Sequence, residues 1–219
     1  MIALSCLVAV GGVVLAAHAK NPVAKFDTTE GIFTAEIYLD RVPRTASNFI
    51  DLATSGFYNG IHFHRVIPGF MNQFGCPNAK DPKASNAGQG GPKDGTFKNL
   101  VTGKKEKRKN GGNIDDEHIS KDSNEPGTLS MANTGRPNSG GSQFFVNVAH
   151  NSNLDWFSGG PSKHPVFGKI LTGMDIVTKI SRVKTKNDNP VKPIKMNVIT
   201  ITGTDGEPYL GDDDDEEEL

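Results

Sequence analysis

The sequence predicts one loop-rich domain of the β or α+β class. Its 219 residues at 35% hydrophobic content suit a single sizeable core, and 25 glycines with 13 prolines break the chain into short elements. The first ordered run also alternates apolar and polar residues with a period of two. A formal net charge of -1 gives no global attraction to nucleic acid or membrane, so local charge runs carry the information.

The elements follow in order. Val23 to Thr28 and Ile32 to Leu39 flank Thr29-Glu30-Gly31 and read as a β-hairpin, with Phe33, Ala35, Ile37 and Leu39 on one face. After Pro43, the residues Ala46, Phe49, Ile50 and Ala53 recur at helical spacing up to Gly56, which suits the position just past a helix end. Thr128 to Ala132 and Gln143 to Val148 are strands around the Gly/Asn-rich loop 133–142, which lacks the helix and lysine of a phosphate cradle. Pro165 to Ile170 is a strand, Met174 to Ile180 a helix, and Met196 to Thr202 a closing strand. Between Pro77 and Asn124 the chain is rich in Gly, Lys, Asn, Asp and Pro with little periodicity, so long surface loops are expected there. Its Lys104 to Lys109 run reads as a solvated basic tongue; with no interleaved aromatics for base stacking, no nucleic-acid partner is expected.

Phe63 to Gln73, FHRVIPGFMNQ, is the stretch with chemical content. A strand would put His62 and His64 on one face and Phe63 and Arg65 on the other, and Pro68-Gly69 can reset that parity so that Phe70, Met71 or Gln73 join Arg65. An arginine amid such apolar density is either covered by a partner or lines a groove. The histidine pair has no third ligand at a recognisable spacing, so no metal is expected.

FHRVIPGFMNQ, then LSMANTGRPNSGGSQFF, then HPVFGKILTGMDIV resemble, in this order, the cyclophilin family of peptidyl-prolyl cis–trans isomerases, over about Pro22 to Gly203. The resemblance implies a mainly β fold, a closed eight-stranded antiparallel barrel capped by two α-helices. It also implies an enzyme that rotates X-Pro bonds without a cofactor and assists the folding of proline-containing polypeptide clients; the alternative is a proline-peptide binding module without turnover. Carried over by motif, Arg65 is the catalytic cation and Gln143 orients it and touches the substrate backbone. The proline ring would rest on Phe70, Met71, Phe145, Leu154 and His164, with Ala132 and Asn133 facing the preceding residue and Gln73 at the rim. A monomer is expected.

Several residues depart from the family pattern. Asn153 stands where many eukaryotic members carry a tryptophan before the pocket leucine, which leaves cyclosporin binding open; an aromatic returns at Trp156. Thr134 replaces a common alanine, Arg136 lengthens the Gly/Asn loop, and Cys76 occupies a position where an acid is common. The basic insertion lies near 93–113. Ile2 to Ala17 is apolar and ends in Ala17-His18-Ala19, which reads as a signal peptide over 1–19, with an uncleaved membrane anchor as the alternative since no basic residue precedes it. The expected location is the secretory pathway. The domain then spans 20–204 and retains Cys76 as its one cysteine, read as a small buried residue, while 205–219 reads as a disordered acidic tail.

Overall fold

In a computed structural model the described residues are 21–203 together with Glu207 and Tyr209. The apolar leader with Cys6 and the acidic run from Asp212 lie outside them. The chain forms β1 (Val23–Thr28), β2 (Gly31–Ile37), α1 (Pro43–Thr54), β3 (Arg65–Ile67), β4 (Met71–Phe74), β5 (Gly95–Lys98) and β6 (Lys105–Arg108). It continues with β7 (Thr128–Met131), β8 (Phe144–Asn147), β9 (Val166–Thr172), α2 (Met174–Ser181), β10 (Thr185–Lys186), β11 (Asn189–Pro190) and β12 (Met196–Thr202). Eight strands make one antiparallel sheet in the order β12-β1-β2-β9-β7-β8-β4-β3.

The sheet curls around an aromatic core. Phe26 stacks on Phe33 at 4.6 Å between ring centroids, and Phe144 meets Phe49, Tyr58 and Phe167 edge-on at 5.6, 5.8 and 5.8 Å. Helix α1 delivers Ala46, Phe49, Ile50 and Ala53 to this core, as its spacing predicts. Pro43 opens the helix with the φ a first turn needs, and Gly56, at φ 71, takes the left-handed conformation just past its end.

Three expectations are corrected. The barrel is an open half-barrel, since β12 and β3 stand at the two edges of the strand order without a ladder between them. Residues 60–63 and 194–196 exchange only scattered bonds there, such as Gly60 N to Met196 O at 2.8 Å and Phe63 N to Ile194 O at 3.0 Å. The β10–β11 turn occupies the edge of β3 instead, with Val66 N donating to Asp188 O at 2.7 Å.

The basic tongue is the second correction, because β5 and β6 form an ordered hairpin across what read as loop. Phe97 is the buried residue of β5, but the inward residues of β6, Glu106 and Arg108, are charged, which hid the period of two. Arg108 is buried against α1, bonding Asn48 Oδ1 at 2.7 Å and Asp51 Oδ2 at 2.6 Å, and Glu106 accepts from Arg44 and from Asn99. Lys105 and Lys107 face outward and are exposed. Third, Phe63 and Arg65 do not share a face: Phe63 joins the main core and packs on Phe74, while Arg65 starts β3 with its side chain half exposed.

Candidate active site

Register on the sheet's outer surface brings the singled-out residues together. Arg65 pairs with Gln73 across β3 and β4, and Gln73 pairs with Phe145 across β4 and β8, so the three share one face. The next row on that face is Ile67 opposite Met71. Met71 and Gln73 thus share the face of Arg65, but without a parity reset: the three-residue turn Pro68-Gly69-Phe70 keeps the alternation, so the odd-numbered residues stay together.

Here a second, smaller apolar cluster forms apart from the main core. Met71, Phe145 and Leu154 are its buried members, with Phe70, Ile67 and Ala132 packed around them. His164 closes one side with its ring edge-on to Phe145 at 5.4 Å, and Arg65 carries its guanidinium carbon 6.0 Å from the Phe70 ring centroid. Every apolar residue expected at the site thus lies in or against one apolar cluster on the sheet's outer face, the hollow of the proposed site, beside a cation.

Beside this hollow runs a groove of about 600 Å³, lined among others by Gln73, Gly88, Gly90, Ala132, Asn133 and Gln143. Gln143 sits where the two meet. Its amide donates to Gly88 O at 2.9 Å and Gly90 O at 2.8 Å, while its Oε1 accepts from Gln73 Nε2 at 3.1 Å. The loop that supplies those carbonyls is itself anchored on Cys76, whose buried Sγ accepts from Gly88 N at 3.1 Å and Gly90 N at 3.3 Å. Behind Gln143 the backbone runs so close to Gly75 that a Cβ there would stand 2.3 Å from Ser142 O, which requires glycine. The Asn133 amide donates to Lys163 O at 2.7 Å, fixing the groove wall against the loop that precedes His164.

Two histidines near the site are neutral at physiological pH. His64 is 8% exposed, and neither ring nitrogen has a hydrogen-bond partner. Burial first, then the adjacent Arg65 charge, push it down to about 4, with the neighbouring Gln143 acting in the opposite sense. Burial also lowers His164, which the Met131 carbonyl partly offsets; its Nδ1 donates to that carbonyl at 2.9 Å.

Sequence reasoning missed the support beneath the hollow. Asp155 is buried and accepts from Asn124 N and Nδ2, both at 2.8 Å, and from Ser123 Oγ at 2.6 Å. Asn124 Oδ1 in turn accepts from Ser130 Oγ at 2.7 Å on β7, and Asn151 Nδ2 donates to Asn147 Oδ1 on β8 at 2.7 Å and lies 3.0 Å from Phe70 O. These bonds tie the segment carrying Leu154 to the strands carrying Phe145. The polar residues have no local periodicity, so only their clustering around Leu154 could have flagged them. Also missed was the Arg65 counterion, Asp188, with Oδ2 3.6 Å from Arg65 Nε.

Comparison with known proteins bears on the family and the fold. The family model for cyclophilin type peptidyl-prolyl cis-trans isomerases matches residues 23–201. A peptidyl-prolyl cis-trans isomerase-like 1 of Aspergillus fumigatus is 38% identical over 173 residues, covering 78% of this chain and 89% of the relative. A peptidyl-prolyl cis-trans isomerase of Acinetobacter baylyi is 34% identical over 200 residues, covering 89% of this chain and 93% of the relative. Among solved structures, a cyclophilin type peptidyl-prolyl cis-trans isomerase of Cryptosporidium parvum superposes with a TM-score of 0.64 at 24% identity, over 84% of this chain and 98% of that one.

Proposed function

Since the chain belongs to the cyclophilin-type peptidyl-prolyl cis-trans isomerases, we propose that it rotates X-Pro bonds in the hollow beside Arg65, with the polar groove holding the residues before the proline. The observation that carries the assignment of the site is the row Arg65–Gln73–Phe145, which sets a multi-donor cation beside the outer apolar cluster of Met71, Phe145 and Leu154.

The chemistry asks little else. Rotation about an X-Pro bond is opposed by amide resonance, with a barrier of about 18–20 kcal/mol. As the bond twists, the prolyl nitrogen becomes pyramidal and its lone pair localises. A donor aimed at that lone pair stabilises the top of the barrier more than the planar ground state, which is the condition for catalysis rather than mere binding. Arg65 supplies the donor and its fixed positive charge, and Met71, Phe145 and Leu154 hold the ring and keep water off, which strengthens the interaction. Gln143, clamped by Gly88 and Gly90 carbonyls, presents Oε1 at the junction of pocket and groove as an acceptor for the substrate backbone. His164, neutral with Nδ1 turned to the Met131 carbonyl, adds an uncharged wall. No proton changes hands, and no nucleophile is required.

The test is an isomer-sensitive assay on a short Xaa-Pro peptide. Arg65→Ala is expected to lose most of the turnover while still binding the peptide. Undiminished turnover in that variant overturns the role of Arg65, and a parent protein that binds proline peptides without turnover overturns the catalytic reading of the site.

A further inference from the structure

The geometry points to Asp188 as the positioning residue for Arg65, a carboxylate that holds the guanidinium by its Nε end so that the terminal nitrogens face the peptide. The inference rests on the donor role proposed above for Arg65. Three observations support it. The Asp188 Oδ2 atom lies 3.6 Å from Arg65 Nε. Asp188 sits at the tip of the β10–β11 hairpin, where Asn187 and Asp188 have φ of 51 and 64, the doubly left-handed pattern of a tight two-residue turn that Asn and Asp tolerate. The turn is then fastened to the strand that carries the arginine, through Val66 N to Asp188 O at 2.7 Å.

The backbone therefore sets the Cα of Asp188 beside Arg65, and the short side chain carries the carboxylate the rest of the way. A free arginine has many rotamers, and only a few of them aim its fork over the hollow beside Phe70. A fixed anion at Nε selects among them. The contact leaves the Nη groups, on the other side of the planar head, for the substrate. Both partners are about half exposed, at 45% and 50%, so the contact is screened by salt and moderate in strength.

Asp188→Asn is a clean perturbation, because asparagine is nearly isosteric, accepts the left-handed φ and keeps the backbone carbonyl that binds Val66. With an uncharged Xaa-Pro peptide the variant is expected to keep the parent's melting temperature and KM and to lose about two- to fivefold in kcat, the range an exposed ion pair supplies. The parent should fall toward the variant as salt rises from about 0.01 to about 1 M, which shortens the Debye length from about 30 to about 3 Å, while the variant stays level. The Nε–H resonance of Arg65 should move in the variant as well. In an Arg65→Ala background the substitution should have no further effect. An Asp188→Asn protein with equal or higher kcat and an unmoved Arg65 resonance overturns the inference while leaving the role of Arg65 standing; undiminished turnover in Arg65→Ala overturns that role instead.

Discussion

Phe144 and Phe145 are neighbours on β8, both buried, yet they face opposite sides of the sheet, so truncating each should break a different property. Phe144 belongs to the main core, ringed by Phe26, Phe49, Tyr58, Phe74 and Phe167. Phe144→Ala opens a cavity that this rigid surround cannot fill, at about 3–5 kcal/mol. For a domain of this size each kcal/mol moves the midpoint by about 2–4 °C, so the melting temperature should drop by roughly 6–20 °C. Phe145 packs in the small outer cluster, which opens onto the groove, and the space vacated by Phe145→Ala can be taken by water or by rotation of Met71; its stability cost should fall below that of Phe144→Ala. Its functional cost is larger. A proline ring has three methylenes at about 0.8 kcal/mol each, and losing one wall of the pocket forfeits about half of that, or roughly 1–2 kcal/mol. That predicts a fall of about 5- to 30-fold in kcat/KM. The measurements are a thermal melt and an isomer-sensitive assay on both variants at a temperature where both are folded. Parent-like kcat/KM in Phe145→Ala, or a larger loss of stability there than in Phe144→Ala, would refute the division of β8 into a core face and a substrate face.

Two further outcomes test the supporting structure. Arg108→Ala strips Asn48 and Asp51 of a buried donor and leaves Phe97 without its cation, so it should cost about 2–4 kcal/mol, discounted because Asp51 is partly exposed; denaturant unfolding reads this directly. The histidine that burial holds neutral gives a pH dependence of known sign. His64 titrates at about 4 in the fold and at about 6.5 when unfolded, so below 6.5 the unfolded chain binds the extra proton. Stability is therefore full above 6.5 and falls as pH drops through that window, by on the order of 3 kcal/mol by pH 4. In melts across this range the parent should lose stability relative to His64→Gln as pH falls, and parallel curves would show that His64 is not the group responsible.

Local pattern was sufficient where one face of an element is apolar and the other is not. The alternation of β1 and β2 and the spacing of Ala46, Phe49, Ile50 and Ala53 between Pro43 and Gly56 are of this kind, and they appear as expected. It was insufficient for β6, whose inward residues Glu106 and Arg108 are charged and are satisfied by Arg44, Asn48 and Asp51 from a helix far back in the chain. A buried charged face has no signature in periodicity, because its warrant is the partner. The candidate site shows a similar divide. Its residue types were legible from motif resemblance, but β8 is buried throughout, so no alternation in Phe144 to Asn147 says which ring faces a core and which a pocket. Asp188 was illegible for another reason, since its contact with Arg65 depends on where a short hairpin docks.

That docking also connects the open edge of the sheet with the site. An unpaired β3 edge would be a liability, presenting free backbone groups to other chains. The β10–β11 turn covers it through Val66, and the residue that makes this backbone contact is the one that faces Arg65 with its side chain. Had β3 paired continuously with β12 into a closed ladder, the bond to Val66 could not be made by the turn, and no carboxylate would be delivered there. The half-open sheet is thus what allows the hairpin to reach the arginine, while Gly88, Gly90 and Cys76 hold Gln143 from the opposite side. Cation and carboxamide are thus each contacted by a separate loop, Arg65 by the β10–β11 turn and Gln143 by the Gly88–Gly90 segment, so in the proposed site their placement is set by the chain on both sides of the sheet edge.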